Sequence, residues 1–167
     1  MMDQMQFREA MSRLGAAVTI ITTDGPLGRH GFTASAVCSV TDQPPTILVC
    51  MNRSVSSHEA IIRNGIVGIN VLASVHKKLS ASFADRKVDM VSRFAGHDWQ
   101  TSANGVPLLD GAVVGLGCAI TSSVEVGTHT ILICEIVDVR LGEGIADALL
   151  WCGRAYHSLP LREPVAV

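Results

Sequence analysis

Runs of apolar and β-branched residues recur along the chain at the length of β-strands, separated by turns that contain glycine and proline. Valine, isoleucine and threonine favour extended structure in such runs, because branched side chains pack well on a pleated sheet. The pattern predicts about seven strands, over residues 16–23, 32–41, 46–52, 66–72, 113–126, 130–141 and 148–153.

Helical periodicity is confined to three short segments. Phe7, Met11 and Leu14 are spaced i, i+4 and i+7, so they form one apolar stripe on a helix that Gly15 ends. Residues 76–84 form another helix, with apolar side chains on one face.

The third helix is predicted from a capping signal. Ser56 stands three residues before Glu59, which is the spacing of a capping box, and the helix is expected to end at residues 64–65. The polar segment 85–110 has no clear period and is expected to be irregular. Many strands with few helices predict a mainly β fold, a closed or nearly closed antiparallel barrel with peripheral helices.

The composition is that of one globular domain, residues 1–167, because hydrophobic residues make up 48% of the chain and charged residues 17%. The mean hydropathy of +0.36 is high for a small monomer. We therefore expect an extra apolar face that is buried in a homodimer. A net charge of −2 and an aromatic content of 4% argue against nucleic acid as a partner.

The cysteines and the apolar runs indicate the compartment. The five cysteines form no CxxC pair, and most lie inside apolar runs, which is typical of a reducing cytoplasm. The N-terminus lacks the apolar core of a signal peptide, and no apolar run reaches transmembrane length. The sequence predicts a cytoplasmic protein without a membrane partner.

The first candidate site is a phosphate cradle formed by Asn52, Arg53, Ser54, Ser56 and Ser57. Hydroxyl groups and a guanidinium at the start of a helix suit an anion, since free backbone N–H groups point outward there. The structural alternative is that Ser56 only caps the helix and that Arg53 is solvated.

The second candidate is the run of small residues at 33–36 (TASA), which would let a flat ligand approach the bare backbone. Its alternative is a strand packed closely against a helix.

The third candidate is His129, where the preceding Gly127 marks a sharp turn or bulge that could hold the imidazole in a cleft. Its alternative is a structural turn histidine.

The fourth candidate is the segment 154–157, which contains Tyr156, the single tyrosine; its alternative is a plug at the barrel end.

The sequence motifs of several other kinds of active site are absent from the chain. The glycines at 25, 28 and 31 form GxxGxxG without a βαβ unit, so they do not match the dinucleotide fingerprint. There is no GxSxG elbow, and the six histidines lack metal-ligand spacing, so no metal is expected.

Short motifs spread over nearly the whole chain carry a family resemblance. They are residues 7–11 (FREAM), 17–23 (AVTIITT), 31–42 (GFTASAVCSVTD), 44–45 (PP), 50–52 (CMN), 82–84 (SFA), 93–94 (RF), 127–129 (GTH) and 156–157 (YH). In this order they resemble the short-chain flavin reductases. These are the reductase components of two-component monooxygenases such as 4-hydroxyphenylacetate 3-monooxygenase.

The resemblance implies an FMN-binding split β-barrel of Greek-key topology that works as a homodimer. It also implies hydride transfer from NADH or NADPH to FMN, with FAD as the other flavin. The catalytic residue would be His129, which contacts the nicotinamide. The flavin-binding residues would be Thr33, Ala34, Ser35, Ala36, Ser39, Cys50, Met51, Asn52, Arg53, Ser54, Ser56, Ser57, Ser82, Phe83, Ala84, Arg93, Tyr156 and His157.

The resemblance leaves the electron acceptor open. Reduced flavin could go to a partner oxygenase, or a bound FMN could reduce a cobalt corrinoid, and a flavin-binding module without turnover is an alternative of another class. The segment 83–94 leaves open whether the flavin is prosthetic or diffusible. The choice between NADH and NADPH depends on an arginine for the 2′-phosphate, and Arg86, Arg93, Arg140 and Arg154 are the candidates.

Overall fold

Antiparallel strands dominate the protein, whose computed structural model describes residues 3–161. The helices are α1 (Gln4–Ser12), α2 (His58–Asn64), α3 (Lys77–Ala84) and α4 (Met90–Phe94), with a 3₁₀ turn at Ser74–His76. The strands are β1 (Ala16–Ala17), β2 (Thr19–Thr23), β3 (His30–Ala34), β4 (Val37–Asp42), β5 (Pro45–Asn52), β6 (Ile66–Val71), β7 (Trp99–Thr101), β8 (Pro107–Leu109), β9 (Val114–Val126), β10 (His129–Leu141), β11 (Asp147–Cys152) and β12 (Ala155–Pro160).

Seven strands form one sheet in the order β3-β2-β6-β9-β10-β5-β4. The two edge strands, β3 and β4, are consecutive in the chain and are joined only by Ser35 and Ala36. The sheet must therefore curve around until its two edges meet at this junction. On the β4 side, the Cys50 N–H donates to the Ala36 carbonyl at 2.9 Å and extends the pairing of β4 with β5 by one residue. The predicted mainly β fold is confirmed, and we call the junction at Ser35 and Ala36 the split.

Two hydrophobic clusters stabilise this arrangement. The first fills the interior of the curved sheet with fully buried side chains such as Ile21, Val49 and Met51. The second lies between β2, α3 and β11, where Ile20, Phe83 and Leu149 are buried. Because the second cluster fixes α3 against the barrel, it also fixes the residues of α3 that border the split.

Several predicted elements were wrong in extent. The predicted strand 32–41 is two strands, β3 and β4, and the predicted strand 16–23 is divided into β1 and β2. The segment 85–110 is not irregular, because it contains α4 and the β7–β8 hairpin. The predicted last strand, 148–153, is followed by β12, and the described residues form four α-helices where three were expected.

Helix α1 confirms the predicted N-terminal helix but not a packed position for it. Its apolar side chains Phe7 and Met11 are exposed, as is Leu14 just beyond its end, and none of its residues is buried within one subunit. No helix within residues 3–161 is long and apolar enough to span a membrane.

Candidate functional site

A cleft opens at the split between β3 and β4. Its volume is about 220 Å³, and its lining combines the small residues that lead into the split with side chains from α3 and the β11–β12 hairpin. The lining residues are Val18, Thr33, Ala34, Ser35, Ala84, Trp151 and Tyr156. The structure thus brings together the predicted small-residue run, one end of α3 and the single tyrosine.

The small-residue run lies between α3 and the cleft. It packs against α3, because the Thr33 hydroxyl donates to the Ser80 carbonyl at 2.6 Å. It also borders open space on the cleft side through Thr33, Ala34 and Ser35. At the split itself Ser35 lies outside both strands, so a ligand could meet backbone N–H and C=O groups there without a large side chain in between.

Two aromatic rings form the opposite wall of the cleft. Tyr156 and Trp151 pack edge to face with ring centroids 4.9 Å apart. The Tyr156 hydroxyl is 2.9 Å from the Ser80 hydroxyl, and the Lys77 ammonium lies 5.4 Å from the Tyr156 ring centroid. His157 is exposed and its Nε2 is 3.0 Å from the Cys152 carbonyl, so it does not line the cleft.

The carbonyl of Gly31, at the start of the small-residue strand, receives two side-chain donors. The Ser57 hydroxyl donates to it at 2.9 Å and the Arg93 guanidinium at 3.0 Å. Arg93 also donates to the carbonyls of Val88 and Asp85, and its burial lowers the pKa of the guanidinium from its ordinary value. Ser57 and Arg93 therefore fix the position of β3 through hydrogen bonds to the Gly31 carbonyl.

The predicted capping box is absent. Ser57, not Ser56, is the N-cap of α2, and its backbone is helical with no side-chain cap bond. Ser57 is fully buried between α2 and β3, so its hydroxyl needs a partner inside the protein and donates to the Gly31 carbonyl. Ser56 is exposed.

Two arginines close to the segment after β5, Arg53 and Arg86, have different hydrogen-bond partners. Arg53 turns away from Ser54 and pairs with Glu125 at 2.5 Å. Arg86 instead reaches the Ser54 hydroxyl at 2.9 Å, while the Asn52 side chain accepts from the Ser54 N–H at 2.9 Å. The cation beside Ser54 is therefore Arg86, which lies 32 positions away in the chain.

His129 begins β10 directly after the turn formed by Gly127 and Thr128. It pairs with Asn52 of β5 and with Val126 of β9, and its Nδ1 is 2.9 Å from the Thr128 hydroxyl. It is exposed and does not line the cleft of its own subunit. The structure places it next to Asn52, at the end of β5 that leads to Ser54.

Five further predicted residues differ in their access to a ligand. Met51 and Phe83 are core residues, so their side chains face the interior and not the cleft. Cys50 is half-buried on the outer face of the sheet, and Ser39 is exposed on β4. The Ser82 hydroxyl donates to the Leu79 carbonyl within α3.

The comparison with known families decides the identity of the fold. A family model described as flavin reductase like domain matches residues 11–160. The chain belongs to the flavin reductase family. It is an NAD(P)H-dependent flavin oxidoreductase, and the predicted family resemblance is confirmed.

Relatives of this flavin reductase are similar over nearly their whole length. An FMN reductase (NADH) RutF of Pseudomonas syringae is 54% identical over 98% of this chain and 91% of its own. The NADH:FAD oxidoreductase SgcE6 of Streptomyces globisporus, solved with NAD and FAD fragments, has a TM-score of 0.84 at 29% identity, covering 93% of this chain and 92% of its own. The styrene monooxygenase flavin reductase of Pseudomonas putida S12 has a TM-score of 0.83 at 28% identity, covering 95% and 99%.

The residues of this flavin reductase fit a flavin. A flat ring needs a cleft with bare backbone at its edge, which Ala34 and Ser35 would supply. The phosphate needs hydroxyl and cationic donors, which Ser54 and Arg86 would supply. Periodicity gave no reason to select Val18 and Trp151, which complete the cleft. The sequence indicates Arg86 only as a candidate for the 2′-phosphate of NADPH, since no local motif connects it to Ser54.

Proposed function

We propose that this flavin reductase transfers hydride from NADH to FMN and delivers the reduced FMN to a partner oxygenase. The observation that carries the proposal is the cleft at the split, where small residues meet the aromatic pair Trp151 and Tyr156. The choice of FMN and NADH is supported by the relative named FMN reductase (NADH). The choice of an oxygenase is supported by the styrene monooxygenase flavin reductase.

The protein's own contribution is positioning. FMN, when bound, supplies the hydride acceptor, and hydride transfer between two such cofactors needs no acid or base from the protein. The backbone around Ser35 holds the ring edge, while Ala84 and Tyr156 restrict its movement from the other side. Ser54 and Arg86 hold the phosphate, since a guanidinium and a hydroxyl together make strong bonds to its oxygens.

In this proposal His129 contacts the nicotinamide of the incoming NADH. The imidazole is exposed at the start of β10 and is linked to Thr128 through Nδ1, which leaves Nε2 free to face a ligand. Its position beside Asn52 places it along the same edge of β5 that leads to Ser54. A second ring can thus approach the flavin from this side.

The proposal predicts that wild-type protein bleaches the visible absorbance of FMN under anaerobic conditions once NADH is added. His129→Ala is expected to lower kcat/KM for NADH by about tenfold, because the nicotinamide loses a contact that orients it. The Kd for FMN should change by less than about twofold, since His129 is not among the residues that line the cleft. Stopped-flow absorbance and fluorescence titration measure the two quantities. Unchanged NADH kinetics in His129→Ala would exclude the assigned contact.

We also propose that the protein is a homodimer formed through the outer face of β9, β10, β5 and β4. Apolar side chains align there in cross-strand rows: Val124 is opposite Ile131, which is opposite Cys50, and Ile133 is opposite Leu48. Val124 is more than half exposed in one subunit. A contiguous apolar face of this kind is typical of an interface.

The homodimer is expected at micromolar concentration in sedimentation velocity, with one species at twice the mass of the 17.7 kDa chain. Val124→Asp should shift it to the monomer, because a charge would be buried at the centre of the apolar rows. A wild-type monomer would contradict the proposed interface.

All five cysteines are free thiols, which supports a reducing cytoplasm as the location.

A further inference from the structure

Arg53 binds the turn before His129 through both its backbone and its side chain. Its backbone N–H donates to the Thr128 carbonyl at 3.0 Å, and its guanidinium donates to the Gly127 carbonyl at 2.5 Å. The same guanidinium pairs with Glu125 at 2.5 Å. Arg53, the residue after β5, is thus bonded to the end of β9 and to both residues of the turn between β9 and β10.

This turn determines where His129 points. Gly127 has a φ of 55°, a left-handed conformation that reverses the chain sharply between β9 and β10. His129 is two residues further on and is oriented locally by the Thr128 hydroxyl. A rotation of the turn would therefore carry the imidazole with it.

The geometry also argues against Arg53 as a phosphate ligand. Both terminal nitrogens of its guanidinium are already engaged, one with the Glu125 carboxylate and one with the Gly127 carbonyl. A carboxylate at 2.5 Å repels a phosphate that approaches the same group. Arg86, which is next to Ser54, has no such competitor among its hydrogen bonds in the described part of the chain.

We infer that Arg53 and Glu125 are positioning residues, which aim His129 at the nicotinamide instead of binding the flavin phosphate. The inference rests on the proposed contact between His129 and NADH. The Arg53 and Glu125 side chains are 42% and 66% exposed, so their ion pair contributes little to the stability of the fold. Its effect should therefore be seen in how NADH is used and not in the melting temperature.

The test compares Arg53→Met, Glu125→Gln and Arg86→Met, each with the FMN-loaded protein. Arg53→Met is expected to lower kcat/KM for NADH by about tenfold while the Kd for FMN stays within about twofold. Glu125→Gln should have a smaller effect of the same kind, and it keeps the side-chain shape. Arg86→Met should do the reverse and weaken FMN binding by about tenfold. The matched control is Arg63→Met, which breaks an exposed Arg–Glu pair within α2 at 3.4 Å and should change neither quantity.

The double variant Arg53→Met/His129→Ala separates positioning from a general structural role. If Arg53 acts through His129, the loss in kcat/KM for NADH should be no larger in the double variant than in His129→Ala alone. Additive losses would overturn the inference, as would weaker FMN binding in Arg53→Met or unchanged NADH kinetics in that variant. In those outcomes an effect of His129→Ala would leave the proposed function standing. Unchanged kinetics in His129→Ala would instead remove the nicotinamide contact and the positioning role together.

Discussion

Replacement of Arg93 by methionine is expected to lower the free energy of unfolding by about 3 kcal/mol. Arg93 is only 5% exposed, and its guanidinium donates to the carbonyls of Gly31, Asp85 and Val88. Methionine fills a similar length but donates nothing, so carbonyl groups near the protein interior would lose their partners. Urea denaturation followed by circular dichroism measures the change.

The same substitution should also weaken FMN binding, because Arg93 holds the strand that borders the cleft through Gly31. Arg93→Lys is expected to recover only part of the stability, since an ammonium cannot reach three separate carbonyls as the planar guanidinium does. Arg63→Met serves as the control for loss of an exposed arginine and should change the free energy of unfolding by less than about 0.5 kcal/mol. A similarly small loss in Arg93→Met would contradict the role given to Arg93.

Gly31→Ala is expected to destabilise the protein by about 2–3 kcal/mol. A Cβ at this position would be 2.7 Å from the Phe83 ring and 2.9 Å from the Ile21 carbonyl. The ring belongs to a packed aromatic cluster with Phe94 and Trp99, so it cannot move aside without disturbing that cluster. Thermal and urea unfolding both measure the effect.

Gly115→Ala is the matched control, because it adds the same methyl group to another strand. There the new Cβ would meet the Leu108 side chain at 3.5 Å, an ordinary contact distance. Its free energy of unfolding should stay within about 1 kcal/mol of the wild-type value. Equal losses in both variants would show that the close contact at Gly31 is not the cause.

The sequence predicted the mainly β character and the long central strands, but it missed the β7–β8 hairpin, β12 and the division of the strand 32–41. Each half has the composition of a strand, and periodicity reports only the local preference for extended structure. The division arises because β3 and β4 pair with different neighbours, β2 and β5, at opposite edges of one sheet. The small residues at the split were visible in the sequence, but the change of partner depends on closure of the sheet.

The arginines show a second limit of sequence-based prediction. Arg53 is adjacent to Ser54 in the chain, so proximity favoured it as the phosphate ligand. Its partner, Glu125, lies 72 positions away, and Arg86 reaches Ser54 over 32 positions. Contacts of this separation are determined by the pairing of β5 with β10 and by the path of the segment after α3, which no local motif records.

The capping signal failed for a related physical reason. A serine before a helix can satisfy a backbone N–H of that helix or a group elsewhere, and burial decides between them. The predicted cap, Ser56, is exposed, and the helix begins one residue later, with Ser57 as its N-cap. Ser57 is fully buried against β3, so its hydroxyl donates to the Gly31 carbonyl. The hydroxyl next to the helix thus supports the cleft instead of the helix.

The split has a consequence for the energetics of the whole barrel. It is the place where the two edge strands, β3 and β4, follow each other in the chain but do not pair with each other in the described residues. A flavin ring that binds against Ser35 needs the folded barrel, so flavin binding and the stability of the barrel are thermodynamically linked. Flavin at a hundred times its Kd adds about 2.7 kcal/mol to the stability of the form that binds it. A reductase that releases its flavin would therefore be less stable against unfolding during the flavin-free part of every catalytic cycle.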